Sequence, residues 1–372
     1  MKILIATGIY PPDIGGPATF VKELARLIAE EGHFVSVVSY GEEDKNFIDG
    51  KVPVTIVSRR RGRAQRYMHF FKVLRQLSKD CDLIYAQDLI SSGLPAALNN
   101  LLVGRSYIIR LGGDFLWEQA VERNWTDRPL AEYYNSPKLL HEKIYLWMYN
   151  FVLTRSSFVI FNSKLLRDLY NKTFKLVLEK TTVIHNAQPQ KSAASQNVDG
   201  NFIFVGRFVK VKNIHRLLYA FRALSGAKVL DIIGHGPLFN EYNNTIQELG
   251  LQNRVKVSKA VTNDRLKEIL AKARVVVIPS LTEINPNIAL EAIACGVPVV
   301  LTKYNGLATD VASKLWTFDP LSVDGLTSLL ERINDPKQYE DYKKVIESIA
   351  LTYTWDVVVK DHLKLFARYA NS

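Results

Sequence analysis

Short apolar runs alternate with helix-length segments along most of the 372 residues. The first half carries runs at 2–6 (KILIA), 34–39 (FVSVVS), 54–57 (VTIV), 83–86 (LIYA), 107–111 (YIIRL) and 158–161 (FVIF). Between the first two, Phe20, Val21, Leu24, Leu27 and Ile28 fall on one helical face, and Gly32 closes that helix. Residues 186–200 (NAQPQKSAASQNVDG) are small and polar with no apolar period, which reads as a linker. A second series follows, with strands at 202–205, 228–233, 254–257, 274–278 and 297–301, and helices at 213–224, 238–248, 263–272 and 286–294. The segment 355–370 has helical spacing at Val358, Val359, Leu363, Phe366 and Ala367. Strands regularly separated by helices specify parallel sheets. The expected fold is α/β, with Rossmann-like domains over 1–185 and 201–354 and a cleft between them.

Length agrees with two domains. A chain 47% hydrophobic and 23% charged is neither disordered nor collagenous. Two cysteines, Cys81 and Cys295, cannot build a disulfide framework, so buried thiols in a reducing compartment are expected. The opening apolar run is too short for a secretory leader, and the longest apolar stretch, 144–153, is about half the ~20 residues a span requires. These features predict a cytoplasmic protein. Its net charge of +11, shared by both halves, predicts a polyanionic partner: nucleotide phosphates, nucleic acid or anionic lipid.

The segment 280–298 (SLTEINPNIALEAIACGVP) carries the strongest chemistry. Pro286 suits a helix start, with Glu291 expected about two turns along and Glu283 before it. Two carboxylates flanking such a start can bind sugar or ribose hydroxyls; two solvated surface glutamates would look the same. In 204–217, Gly206 turns the chain, Arg207 leads it and Lys212 precedes a helix. Two cations at a strand end can clamp a diphosphate, although exposed cations are often merely solvated. Gly234 and Gly236 (IIGHGPL) make a poor nicotinamide fingerprint, because Phe239 stands where the last glycine belongs. Gly15 and Gly16 (PPDIGGP) allow close backbone approach, or simply a turn. Asp114 and Glu118 (RLGGDFLWE) follow a strand, where a doubly wound sheet binds its ligands.

Asp80-Cys81-Asp82 has the form of a metal motif but precedes its strand, so it reads as a surface turn; the seven histidines show no ligand spacing. No metal or cofactor is expected. Residues 59–79 hold eight Lys/Arg and no acid, with Tyr67, Phe70, Phe71, Leu74 and Leu77 on one helical face. That pattern fits an anionic membrane surface, or a helix packed on the sheet with solvated charges. No nucleic-acid module accompanies it.

These motifs resemble retaining glycosyltransferase family four, of the GT-B fold. The matching positions are Glu283, Pro286, Asn287, Glu291, Ala292, Ala294, Cys295, Gly296, Pro298 and Val299; Asn285 stands where Phe is usual. Val205, Gly206, Arg207 and Lys212 match the family's VGR-x(4)-KG, with Asn213 in place of its last Gly, and the Gly234 turn is similar to its G-x-G-P-L. The resemblance implies two facing Rossmann-like domains, with the last helix crossing back to the N-terminal one. It implies a UDP- or GDP-sugar donor, with Arg207 and Lys212 on the diphosphate, Glu291 on the ribose and Glu283 on the sugar. Asn285, Pro286, Asn287 and Ile288 at the helix start, Gly234, Gly15 and Gly16 would complete the donor site. Asp114 and Glu118 would contact sugar or acceptor, a subset of the family sharing Gly-Asp-aromatic-x-Trp-Glu while most carry His there. The implied acceptor is a hydroxyl on a lipid-linked or cell-envelope glycan, with the enzyme peripheral on the inner membrane face. A nucleotide-sugar 2-epimerase and a non-catalytic sugar-nucleotide-binding protein share the fold and remain the alternatives.

Overall fold

The computed structural model describes residues 1–13, 15–191, 200–226 and 228–370. The chain divides into two compact units. The first holds Met1–Asp114, Pro137–Ala187 and the chain from Tyr353 onward; the second holds Phe115–Ser136 and Gln188–Thr352. Residues 115–136, which the sequence rhythm groups with the first domain, thus belong to the second unit. Residues 192–199 of the expected linker lie outside the described residues.

The first unit is built on an eight-stranded sheet of β1 (Lys2–Thr7), β2 (Phe34–Gly41), β3 (Lys45–Asp49), β4 (Val52–Ser58), β5 (Leu83–Ala86), β6 (Tyr107–Leu111), β7 (Phe158–Phe161) and β8 (Thr181–Val183). The spatial order is β3-β4-β2-β1-β5-β6-β7-β8. All neighbours are parallel except β3, which pairs antiparallel with β4. Ile3 and Ile5 of β1 lie between Val35 and Val37 of β2 and Leu83 and Tyr85 of β5. The helix Gly16–Glu30 covers this face with Phe20, Val21, Leu24 and Ile28. The helix Trp355–Tyr369 adds Val358, Val359 and Phe366 to the same core, so the end of the chain does return to the first unit. Each such side chain taken from water contributes roughly 1.5–3 kcal/mol.

The second unit has six parallel strands: β9 (Phe202–Arg207), β10 (Leu230–His235), β11 (Val255–Lys259), β12 (Val275–Ile278), β13 (Val299–Thr302) and β14 (Trp316–Phe318), in the order β11-β10-β9-β12-β13-β14. Sequence periodicity missed β3, β8 and β14, all edge strands. β3 (KNFID) exposes most of its side chains and the other two have three residues each, so none carries an apolar run. Pairing with an existing sheet edge creates them.

The returning helix carries a buried titratable group. His362 Nδ1 donates to the Val358 carbonyl at 2.7 Å, so Nε2 accepts from the Tyr85 hydroxyl at 2.8 Å. Burial pushes its pKa from 6.5 down to about 3. Between those values the unfolded chain binds the proton and the folded chain does not, so acid favours unfolding. Stability should fall by about 1.4 kcal/mol per pH unit below 6.5 from this residue alone. Chemical denaturation of wild type and His362→Gln at pH 7 and pH 5 checks this: the variant should lose a smaller part of its stability on acidification, and equal losses would remove His362 as the cause.

Candidate active site

The chemistry expected from 204–217 and 280–298 converges in the second unit. β9 ends on Gly206 and Arg207, and a single tight turn, Lys210–Lys212, leads into the helix Ile214–Ala223. Asn213 adopts φ +56°, a left-handed conformation that Asn tolerates better than most residues. Its side-chain amide donates to the carbonyls of Pro279 and Pro320, both at 2.9 Å. Asn213 therefore does the conformational work of a glycine and also ties three loops together.

Lys212 meets Glu283 across these loops, Nζ to Oε1 at 2.5 Å, and the Ser280 hydroxyl donates to the same oxygen at 2.5 Å. Glu283 is only 8% exposed. Backbone bonds hold it further: its N–H donates to the Tyr304 carbonyl and its carbonyl accepts from Gly306 N–H. Arg207 is exposed and lies 3.7 Å from Glu118, a contact within the second unit because residues 115–136 pack there. Lys210 holds that segment through the Glu122 carbonyl (3.2 Å) and Asn124 Oδ1 (2.7 Å). Leu130 N–H donates to Thr282 Oγ1 at 2.9 Å, and the Tyr304 hydroxyl donates to Glu132 at 2.6 Å. Sequence reasoning missed Lys210, Ser280, Thr282 and Tyr304; polar residues beside the recognised motifs were their only signal.

The helix Asn287–Ala294 begins one residue after Pro286. Glu291 is its fifth residue, just over one turn along, rather than the expected two. Glu291 is half-buried, and burial raises its pKa against the opposing charge of Lys267. At the helix start, Asn287 N–H already donates to the Asn285 carbonyl, and the Asn285 side chain donates to Asn287 Oδ1 at 2.5 Å. Ile288 is the neighbouring half-buried residue. Gly234 pairs with Gly206 across β10 and β9. A Cβ on Gly234 would come 1.9 Å from the Gly206 carbonyl oxygen, so close strand packing demands that glycine.

A match to glycosyl transferases group 1 covers residues 188–348, and one to glycosyltransferase family 4 covers 14–187. The chain belongs to this glycosyltransferase family. An uncharacterised glycosyltransferase of Methanocaldococcus jannaschii is 26% identical over 403 residues, covering 98% of each chain. The phosphatidylinositol N-acetylglucosaminyltransferase GPI3 subunit of Saccharomyces cerevisiae is 20% identical and covers 100% of this chain and 84% of its own. HepE of Anabaena, solved in complex with UDP and glucose, superposes with a TM-score of 0.74 at 19% identity, covering 99% of this chain and 100% of that one. The fold is GT-B.

The glycosyltransferase's remaining candidates lie in the first unit. Gly15 precedes the helix Gly16–Glu30 in extended backbone that needs no glycine, and its own Cβ would meet Ile9 Cδ1 at 3.0 Å. Ile14 of that loop lies outside the described residues. Asp114 is 1% exposed and accepts from the Tyr170 hydroxyl at 2.7 Å. Asp114 and Glu118 thus belong to different units. Asp82 accepts from the Lys2 backbone N–H at 2.7 Å and Cys81 is buried, in keeping with a turn. The basic stretch differs from its sequence pattern. Arg59 pairs with Asp13, Arg60 with Glu43 at 2.8 Å and Arg61 with Asp44, acids that come from outside 59–79. The helix Arg63–Leu77 buries Phe70 and Leu74 against its own unit. Phe70 stacks on Tyr40 at 4.3 Å, so its apolar face is already packed.

The Lys212–Glu283 contact yields a prediction. Lys212→Met leaves a largely buried carboxylate with Ser280 as its polar side-chain partner, at a cost of about 1.5–3 kcal/mol. Glu283→Gln in the same chain should recover part of it. Urea unfolding of the four members of this cycle tests the coupling, and strictly additive losses would show that the pair contributes nothing to stability.

Proposed function

We propose that this enzyme is a retaining, metal-independent hexosyltransferase. It moves a sugar from a UDP- or GDP-sugar to a hydroxyl of a lipid-linked or cell-envelope glycan. The carrying observation is the cluster at the end of β9: Lys212, Glu283 and Ser280 in one hydrogen-bonded group, with Arg207 beside Glu118. HepE's complex with UDP and glucose supports a uridine nucleotide sugar as donor.

Without substrate, Lys212 and Glu283 neutralise one another. When the donor binds, its diphosphate draws Lys212 and Arg207, which frees the Glu283 carboxylate to accept hydrogen bonds from the sugar hydroxyls. Glu291 accepts from the ribose, and the helix start at Pro286–Ile288 and the close-packed turn at Gly234 line the phosphates. The bond from the anomeric carbon to the phosphate oxygen breaks, and the acceptor oxygen bonds on the same face. The leaving phosphate takes the acceptor's proton. Arg207 and Lys212 stabilise the charge growing on that phosphate, the task a metal performs elsewhere. Glu118, beside Arg207, contacts sugar or acceptor, whereas the buried Asp114 holds Tyr170.

Peripheral attachment to an anionic membrane rests on a modified surface. Lys72, Arg75 and Lys79 are exposed, and the helix Leu140–Arg155 exposes Leu140, Ile144 and Trp147 at helical spacing. Arg63 reaches Tyr145 of that helix at 3.5 Å. The GPI3 subunit, by its name, acts on phosphatidylinositol, which favours a lipid-linked acceptor here.

Two measurements test the reading. Arg207→Ala and Lys212→Ala should each lower kcat by about 10²–10³ with the fold intact by circular dichroism, and turnover should survive EDTA. Full turnover in both variants, or loss on chelation restored by Mn²⁺, would reject the mechanism. The triple variant Lys72→Gln, Arg75→Gln, Lys79→Gln should sediment less with anionic vesicles, each charge being worth about 1 kcal/mol. It should bind UDP as wild type does; sedimentation equal to wild type would reject this membrane surface.

A further inference from the structure

The first unit buries a guanidinium that no acid neutralises. Arg110, the next-to-last residue of β6, is 4% exposed. Among the described residues no carboxylate lies within ion-pair distance of it, its Nε has no hydrogen-bond partner, and its polar contact is Nη2 to Asn186 Oδ1 at 2.5 Å. The Phe20 ring covers the guanidinium at 3.7 Å. Arg274, a second buried arginine, shows the ordinary solution: it donates to the Ile333 carbonyl at 2.6 Å and stacks on Tyr339. A buried cation is costly unless something compensates it.

The sheet register sets two more incomplete groups beside Arg110. Ala86 is level with Ile109, so Gln87 comes abreast of Arg110. Phe161 is level with Leu111, so Asn162 comes abreast of Gly112, two residues beyond Arg110 and on the same sheet face. Both residues are buried (8% and 3% exposed). Among the described residues, Gln87 Oε1 and Asn162 Oδ1 have no hydrogen-bond partner, and the Gln87 amide faces the Tyr85 hydroxyl. Gly112 packs closely between them: a Cβ there would crowd Asn162 Nδ2 at 3.1 Å and Arg110 Nη1 at 3.4 Å. The group therefore offers a cation as donor and two amide oxygens as acceptors. A matching ligand carries anionic oxygen next to hydroxyls.

We propose that Arg110, Gln87 and Asn162 form an acceptor subsite for the anionic group of a charged sugar or polyol, a phosphate or carboxylate with adjacent hydroxyls. This rests on the transferase reading above, since it assigns the group to the acceptor. It lies at the carboxyl ends of β5, β6 and β7, where a sheet of this kind presents its ligands.

Isothermal titration calorimetry at fixed ionic strength tests it with three probes: a hexose phosphate, a hexuronate and the neutral hexose. Wild type should bind at least one anionic probe tenfold or more tighter than the neutral hexose, and the stronger of the two names phosphate or carboxylate. Arg110→Gln should abolish that preference. Gly112→Ala keeps the cation, crowds Arg110 and Asn162 and should weaken the anionic probe several-fold, which guards against a folding defect in the first variant. UDP affinity should stay at the wild-type value in both. Equal binding of charged and neutral probes by wild type, or a preference that survives both substitutions, would overturn the subsite. Failure of wild type to bind UDP would instead count against the transferase reading.

Discussion

Glu283 is the group on which the loop cluster of the second unit turns, because a carboxylate 8% exposed cannot be left uncompensated. Its charge is met by Lys212 from the loop after β9 and by the Ser280 hydroxyl from the loop after β12. Those loops are joined again by Leu281 N–H to the Val211 carbonyl, and by the Asn213 amide on Pro279 and Pro320. The ion pair thus holds together the ends of strands that are neighbours in the sheet but about seventy residues apart in the chain. Under the function proposed above, a diphosphate competing for Lys212 would act on the same group that contacts the sugar.

The segment Phe115–Ser136 extends that dependence. It follows directly on a strand of the first sheet yet packs with the second unit, through Lys210, Val211, Thr282 and Tyr304. Trp117 closes it internally, its indole N–H donating to the Arg128 carbonyl at 2.9 Å. Glu118 is brought to Arg207 by this packing, whereas Asp114, four residues earlier, stays buried against Tyr170.

Charge behaves differently in each part of the molecule, and formal charge alone conveys none of it. Arg59, Arg60 and Arg61 look like the head of a free basic patch in sequence, yet Asp13, Glu43 and Asp44 neutralise them. Arg110 is a single unremarked residue of an apolar strand, yet it is a buried cation with no acid in ion-pair distance among the described residues. Arg59 also donates to the Gly8 and Tyr40 carbonyls, so it braces the glycine loop rather than facing outward.

Sequence by itself determined the α/β class, the two series of strands and the last helix, whose return to the first unit was implied by the family resemblance. Runs such as LIYA, YIIRL and FVIF are strands over the very residues that the pattern marks, because a strand buried on both faces must be continuously apolar. The motif residues Arg207, Lys212, Glu283 and Glu291 were also legible, since their types and order resemble a known family. Tertiary structure decided the edge strands, which borrow their hydrogen bonds from a neighbour and need no apolar run of their own. It decided the membership of 115–136 and the pairing of Lys212 with Glu283. It decided as well which cations are neutralised. Ion pairs and buried polar groups join residues distant in the chain, and local periodicity carries no information about what lies across a sheet or a loop.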